Sequence, residues 1–170
     1  RQLCIRSRSL QALTNVPPHM LSHRHRCLFV HIPKNGGTSI ERIIWPEREE
    51  YSTANLWSDS TPDPANQYHS DGLQHLIARD IQRTVGPAVF QEYFKFSMVR
   101  NPWDKAVSQY LFLFHRPDFR DFLGASRRTS FKQYLSLCGR KPHVHWQPQY
   151  LFLTDTNGEE IVDYIGRFED

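Results

Sequence analysis

A chain of 170 residues with 39% hydrophobic, 13% aromatic and 23% charged residues suits one globular domain around one sizeable core, which excludes a disordered or fibrous chain. The net charge of +3 and sequence pI near 8.9 are a mild bias toward anionic partners, with the basic residues scattered, and do not make a nucleic-acid binder. No stretch reaches the ~18 apolar residues that would span a bilayer, and no signal-peptide core stands near the start.

Residues 1–26 are polar and broken by Pro17-Pro18, which predicts a poorly ordered lead-in, with Met20 as a candidate native start. Cys27-Leu28-Phe29-Val30-His31-Ile32 is a short apolar run of buried-strand type. Pro33-Lys34-Asn35-Gly36-Gly37 is turn-forming, and Thr38 or Ser39 can cap a helix carrying Ile40, Ile43 and Ile44. Residues 46–70 form a long polar connection of the kind that often carries function. Leu73, Leu76, Ile77, Ile81 and Val85 then recur at helical spacing up to Gly86-Pro87.

Tyr93 to Val99 is the second strong strand, and Pro102 suits the first turn of the helix after it. Its expected apolar face is Ala106, Val107, Tyr110, Leu111 and Phe114. Residues 115–129 read as another polar connection. Ser130 is placed to cap a helix with Phe131, Tyr134, Leu135 and Cys138 inward and Gly139 as its stop. Tyr150–Leu153 and Ile161–Ile165 flank Asp155-Thr156-Asn157-Gly158, a hairpin signal. Strands alternating with helices predict an α/β domain with a central parallel sheet flanked by helices.

Cys4, Cys27 and Cys138 contain no CxxC pair, so neither a zinc site nor a disulfide framework is indicated; buried free thiols fit a reducing compartment.

Two elements carry chemistry. The first is His31-Ile32-Pro33-Lys34-Asn35-Gly36-Gly37-Thr38-Ser39, a loop between a strand and a helix N-terminus. Such a loop offers unpaired N–H groups and the positive end of the helix dipole. Its glycines let the backbone approach a phosphate, Lys34 adds a charge, and Thr38 and Ser39 add hydroxyl donors. The lysine precedes the glycines, unlike GxxxxGK[ST], which disfavours a Mg-dependent nucleoside triphosphatase. The second element runs from Val99 to Ser108: Arg100 ends a strand, and Ser108 lies two turns into the next helix. A planar guanidinium and a hydroxyl aimed at one spot can hold a phosphate.

Together these elements resemble the sulfotransferases that use 3′-phosphoadenosine-5′-phosphosulfate (PAPS), and most of all their carbohydrate and heparan-sulfate type branch with its bacterial relatives. The resemblance runs from about residue 27 to the chain end and includes Ile165-Gly166-Arg167-Phe168-Glu169. It implies a three-layer, P-loop-like sulfotransferase fold over residues 27–170, read as truncated at its C-terminal end because such domains usually continue. By position, Lys34 would contact the bridging oxygen and leaving 5′-phosphate. Asn35, Gly36, Gly37, Thr38 and Ser39 would bind the 5′-phosphosulfate, and Arg100 and Ser108 the 3′-phosphate. The co-substrate would be PAPS, with no metal required.

In such a reaction an acceptor hydroxyl, of a carbohydrate by family branch, needs a general base. His75 is the first candidate, placed on the 73–85 helix off its apolar stripe; His69 is the second, with Asp71 and Glu41 behind. His143 and His145 read as surface or acceptor-side groups. Trp45, Trp57 and Trp146 could line a sugar or adenine face, although core packing is the plainer reading, and loops 46–70 and 115–129 could shape the acceptor cleft. A non-catalytic nucleotide- or glycan-binding module and a nucleotide-dependent kinase are the alternatives. Thiol usage favours a cytoplasmic, bacterial protein; a Golgi-lumen enzyme would follow if an N-terminal anchor preceded the chain. Oligomeric state is open.

Overall fold

The computed structural model describes residues 20–44 and 75–170. Strands Leu21–Ser22 (β1), Cys27–Val30 (β2), Phe94–Val99 (β3) and Tyr164–Arg167 (β4) form one sheet in the order β1-β2-β3-β4. β1 runs antiparallel to β2, whereas β2, β3 and β4 are mutually parallel. Parallel neighbours need helical crossovers between them. Helices Gly37–Ile44 (α1), Ala78–Val85 (α2) and Pro87–Glu92 (α3) lie between β2 and β3. Helices Pro102–His115 (α4), Pro117–Leu123 (α5) and Phe131–Cys138 (α6), with 3-10 turns at Val144–Trp146 and Gln149–Phe152, lie between β3 and β4. The expected α/β sheet flanked by helices is what the chain forms.

All four residues of β2 are buried, as a parallel strand covered on both faces requires. Register pairs Phe29 with Phe96, and their rings lie 5.1 Å apart. Around them the main core gathers Leu28, Val30, Ile32, Ile81, Val85, Phe90 and Phe152. A second cluster, Leu113, Phe119, Leu123, Tyr134 and Cys138, joins α4, α5 and α6 to one another. Among the described residues no helix is long and apolar enough to cross a membrane.

Several sequence expectations change. Met20 to Arg26, placed in the lead-in, instead supply β1 and the turn into β2, with Met20 fully buried; residues 1–19 lie outside the described residues. The helix expected over 73–85 starts at Ala78, and Gly86-Pro87 divides it from α3 rather than ending helical structure. The connection 115–129 contains α5, opened by Pro117 and closed by Gly124 at φ 68°. Those are ordinary start and stop signals.

Tyr150–Leu153 is no strand but part of a 3-10 turn. The Asn157-Gly158 turn closes only one bridge, Thr154 to Glu160, because β4 pairs with β3 in parallel instead. The buried face of α4 is also rotated. Val107 and Leu111 are 45% and 53% exposed, whereas Lys105, Gln109 and Leu113 are buried. Tertiary hydrogen bonds decide this: Lys105 Nζ donates to the carbonyl of His145 (2.7 Å), and Gln109 Oε1 meets His145 Nδ1 (3.1 Å). Ser130 does cap α6, in a reciprocal box with Gln133; Leu135, expected inward, is exposed.

Candidate functional site

The chain leaves β2 at Val30 and enters α1 at Gly37. Between them His31, Ile32, Pro33 and Asn35 are buried, and Lys34 is half-buried. Lys34 has φ 69° and Gly36 φ 78°. A non-glycine residue there carries roughly 1–3 kcal/mol of strain, which persists only where the surroundings over-determine it. The surroundings are identifiable: the carbonyl of Lys34 accepts from Arg100 Nη1 (3.3 Å). Asn35 Nδ2 donates to the carbonyl of Met98 (2.8 Å) and to Oε1 of Gln149 (2.6 Å).

The glycines are required by the protein's own packing. A Cβ at Gly37 would stand 2.4 Å from the His31 ring, and one at Gly36 would stand 3.0 Å from the Phe168 ring. The first turn of α1 carries no acidic residue, and Thr38 and Ser39 are exposed. The positive end of α1 thus has no acidic side chain of its own first turn to compete with an anion.

The second element is bound to the first. Gln149 accepts from the backbone N–H of Arg100 (2.9 Å) and donates through Nε2 to the carbonyl of Arg100 (2.7 Å). One side chain therefore fixes both Asn35 and Arg100. The guanidinium of Arg100 lies 4.2 Å from the centre of the Phe168 ring, stacked by a cation–π contact. Arg100 Nε is buried with no hydrogen-bond partner. Phe168 is held there because β4 continues alongside β3: its N–H donates to the carbonyl of Val99 (2.8 Å). Glu169 Oε1 accepts from the N–H of Asn101 (2.6 Å), and Asn101 caps α4. Ser108 is half-buried on α4, outside this hydrogen-bonded set.

The electrostatics suit an anion. Lys34 Nζ stands over the Phe112 ring, and Arg116 lies 5.4 Å from the centre of the same ring. Burial, followed by the charges of Arg100 and Arg116, pushes the Lys34 amine below its ordinary range. Bound negative charge would offset both the burial and the repulsion. Asp118 already pairs with Arg116 at 2.5 Å.

His75 is not on a helix. It precedes α2 with φ 66° and is buried. Its ring stands edge-on to His31 (4.8 Å) and to His145 (4.9 Å), and His143 follows at 5.2 Å from His145. His143 and His145, expected as surface or acceptor-side groups, are buried. Burial pushes His143 down to about 3, and burial followed by the charge of His75 holds His145 well below its ordinary range. At the far end, Glu41 Oε1 lies 2.5 Å from His31 Nδ1, and neither is exposed. Among the described residues no group of three or more His, Cys, Asp or Glu is arranged to hold a metal ion. His69, Asp71, Trp45, Trp57 and the loop 46–70 lie outside the described residues. Trp146 packs against Phe119, Phe122 and His143, as core packing predicts.

The Sulfotransferase family profile matches residues 17–170, a span that includes both phosphate-type elements and the tail. The chain belongs to the sulfotransferase family. No curated protein and no solved structure shows a significant match to it. The reaction class of the family is transfer of a sulfuryl group to an acceptor.

In this sulfotransferase the structure brings Lys34, Asn35, Gly36 and Arg100 into one connected set, and Gly37 into contact with His31. Sequence reasoning missed Gln149, Phe112 and Arg116. Gln149 lies 114 residues from Asn35 and 49 from Arg100, so no local pattern marks it. Phe112 and Arg116 sit one helical turn apart at the end of α4, a spacing that could have paired them, but nothing local aims them at Lys34.

Proposed function

We propose that this sulfotransferase uses PAPS as donor and an acceptor hydroxyl, by family branch that of a carbohydrate, as nucleophile. The acceptor oxygen forms a bond to sulfur while the bond from sulfur to the bridging 5′-phosphate oxygen breaks. Adenosine 3′,5′-bisphosphate leaves, and the acceptor proton passes to a base, for which His75 is the candidate. Lys34 offsets the charge growing on the leaving phosphate, and preorganised charge is the main lever in such transfers. Residues 35–39 hold the 5′-phosphosulfate through backbone N–H groups and hydroxyls. Arg100 and Ser108 take the 3′-phosphate.

The observation that carries this reading is the direct tie between the two elements. Arg100 Nη1 donates to the Lys34 carbonyl, while its buried Nε lacks any partner. A buried, unpaired guanidinium N–H is costly until an acceptor reaches it, and a phosphate oxygen is the acceptor that a planar guanidinium fits best.

Thermal unfolding with adenosine 3′,5′-bisphosphate, with 5′-AMP and with ATP plus Mg²⁺ tests the reading. A ligand at about 100 times its dissociation constant adds about 2.7 kcal/mol to the folded state. Selective stabilisation by the bisphosphate, reduced by Arg100→Ala toward the level of 5′-AMP, is the expected result. A larger effect of ATP with Mg²⁺ would favour a kinase, and bisphosphate binding with no sulfuryl transfer would favour a non-catalytic module. If Arg100→Ala still discriminates fully, Arg100 does not read the 3′-phosphate.

A further inference from the structure

Glu41, His31, His75 and His145 form a buried row, with relative exposures of 0%, 4%, 8% and 6%. The links are a 2.5 Å contact from Glu41 Oε1 to His31 Nδ1 and two edge-on ring contacts at 4.8 and 4.9 Å. We infer that Glu41 and His31 are positioning residues for His75, holding its ring and stabilising the charge it acquires. The inference rests on the reading of His75 as the group that takes the acceptor's proton.

Helix packing alone does not require this arrangement. A fully buried carboxyl is costly unless hydrogen-bonded, and an apolar residue in α1 would fill the same space without that cost. His31 has little freedom to turn away. It stacks on Phe29 at 5.6 Å, and its ring leaves no room for a Cβ at Gly37. Its remaining edge meets His75, whose backbone stays in the left-handed region at φ 66°. Rings held in this way are preorganised, which is how a base is kept within reach of its proton.

Charge argues in the same direction. When the acceptor oxygen attacks sulfur, its proton moves to an imidazole nitrogen of His75, which becomes a cation. Lys34, Lys105, His143 and His75 all act on His145 with the same, unfavourable sign. A proton on His75 therefore stands beside a ring, 4.9 Å away, on which these basic groups already act. Glu41, reached through His31, is the carboxylate of the row. The proton stays on His75, and the carboxylate's part is orientation and charge stabilisation, as with the acidic member of a hydrolase triad. Glu41 also lies on the helix whose first turn faces the donor, so α1 ties the donor's phosphate to the base.

The test is Glu41→Gln in the full chain, with His75→Ala alongside, kept folded by saturating adenosine 3′,5′-bisphosphate for the titration and by saturating donor for the kinetics. Two readouts are needed: the NMR titration midpoint of the His75 ring, and the pH profile of kcat. Loss of the carboxylate destabilises protonated His75, so its midpoint falls. The base must be neutral to act, so the acidic limb of kcat moves to lower pH with it. We expect a displacement of about half a pH unit, smaller than the shift of about 1–3 that an opposite charge in direct contact produces, because Glu41 acts through His31. The plateau should fall roughly tenfold or more, within the 10²–10⁴-fold a general base supplies, with KM unchanged.

An unmoved midpoint and limb overturn the inference. Should Glu41→Gln not fold, Glu41→Asp serves: it withdraws the carboxylate by one methylene and must move the midpoint in the same direction, and an unchanged midpoint again overturns the idea. The titration needs no turnover, so absence of sulfuryl transfer in the wild type counts against the proposed function alone. A fully active His75→Ala removes the base assignment and this inference together, while donor binding stands.

Discussion

The ammonium of Lys34 stands 4.0 Å from the centre of the Phe112 ring. Phe112 comes from the last turn of α4, the helix that begins beside Arg100, so the helix that follows the second element supplies the surface on which the first element's lysine rests. A cation held over an aromatic face keeps its charge without a carboxylate that would compete with a phosphate. Lys34→Ala should therefore lower kcat by about 10²- to 10³-fold while weakening bisphosphate binding far less. Phe112→Leu keeps an apolar side chain and removes the ring face. It should lower kcat by about 2- to 30-fold, the equivalent of 0.5–2 kcal/mol. Steady-state kinetics beside a bisphosphate titration measures both, and wild-type turnover in Lys34→Ala would remove the lysine from the mechanism.

Gly37 is limited by its neighbour, because a Cβ would stand 2.4 Å from the His31 ring. Gly124 makes a clean comparison: its φ is 68°, yet nothing lies within 4 Å of its absent Cβ. Gly124→Ala should lose about 1–2 kcal/mol from left-handed strain alone. Gly37→Ala should lose about 1–3 kcal/mol from overpacking and also weaken bisphosphate binding, which Gly124→Ala should not. Urea unfolding with and without the bisphosphate separates them. Equal ligand stabilisation in both variants would show that the Gly37 contact does not shape the anion loop.

Acid stability should depend on His143. Burial lowers it from 6.5 to about 3, so below pH 6.5 the unfolded chain binds a proton that the folded chain refuses until about pH 3. Stability then falls as pH drops through that window, by an amount on the order of several kcal/mol, and becomes level below it as far as His143 is concerned. His145 acts in the same direction. His143→Gln should flatten the fall in urea midpoint between pH 7 and pH 5, leaving the part due to His145. An unchanged slope would mean that the folded protein does protonate His143 in that range.

Lys105 acts with the same sign in a higher pH window. Burial lowers it to about 8, so the folded state is penalised below pH 8 and recovers as pH rises from about 8 toward 10.5. That penalty explains why the apolar residues of α4 looked like the better buried face: propensity and periodicity take no account of the carbonyl of His145 that Lys105 reaches.

What the sequence by itself determined is local. The apolar run into β2, the turn at residues 33–37 and the start of α1 follow from neighbours within a few residues. So do β3 with the Asn101-Pro102 entry to α4 and the Ser130 capping box, because strand burial, φ limits and caps act over that range. Even the unread α5 carried its signals in Pro117 and Gly124. The tertiary structure decided the rest. The parallel pairing of β4 on β3 placed Phe168 under Arg100. Gln149 joined Asn35 to Arg100. The packing of α1 and of the residue before α2 against the end of β2 lined up Glu41, His31 and His75. These contacts join positions from ten to more than a hundred residues apart, and they form only when sheet register and helix packing have brought the segments together, which no local periodicity encodes.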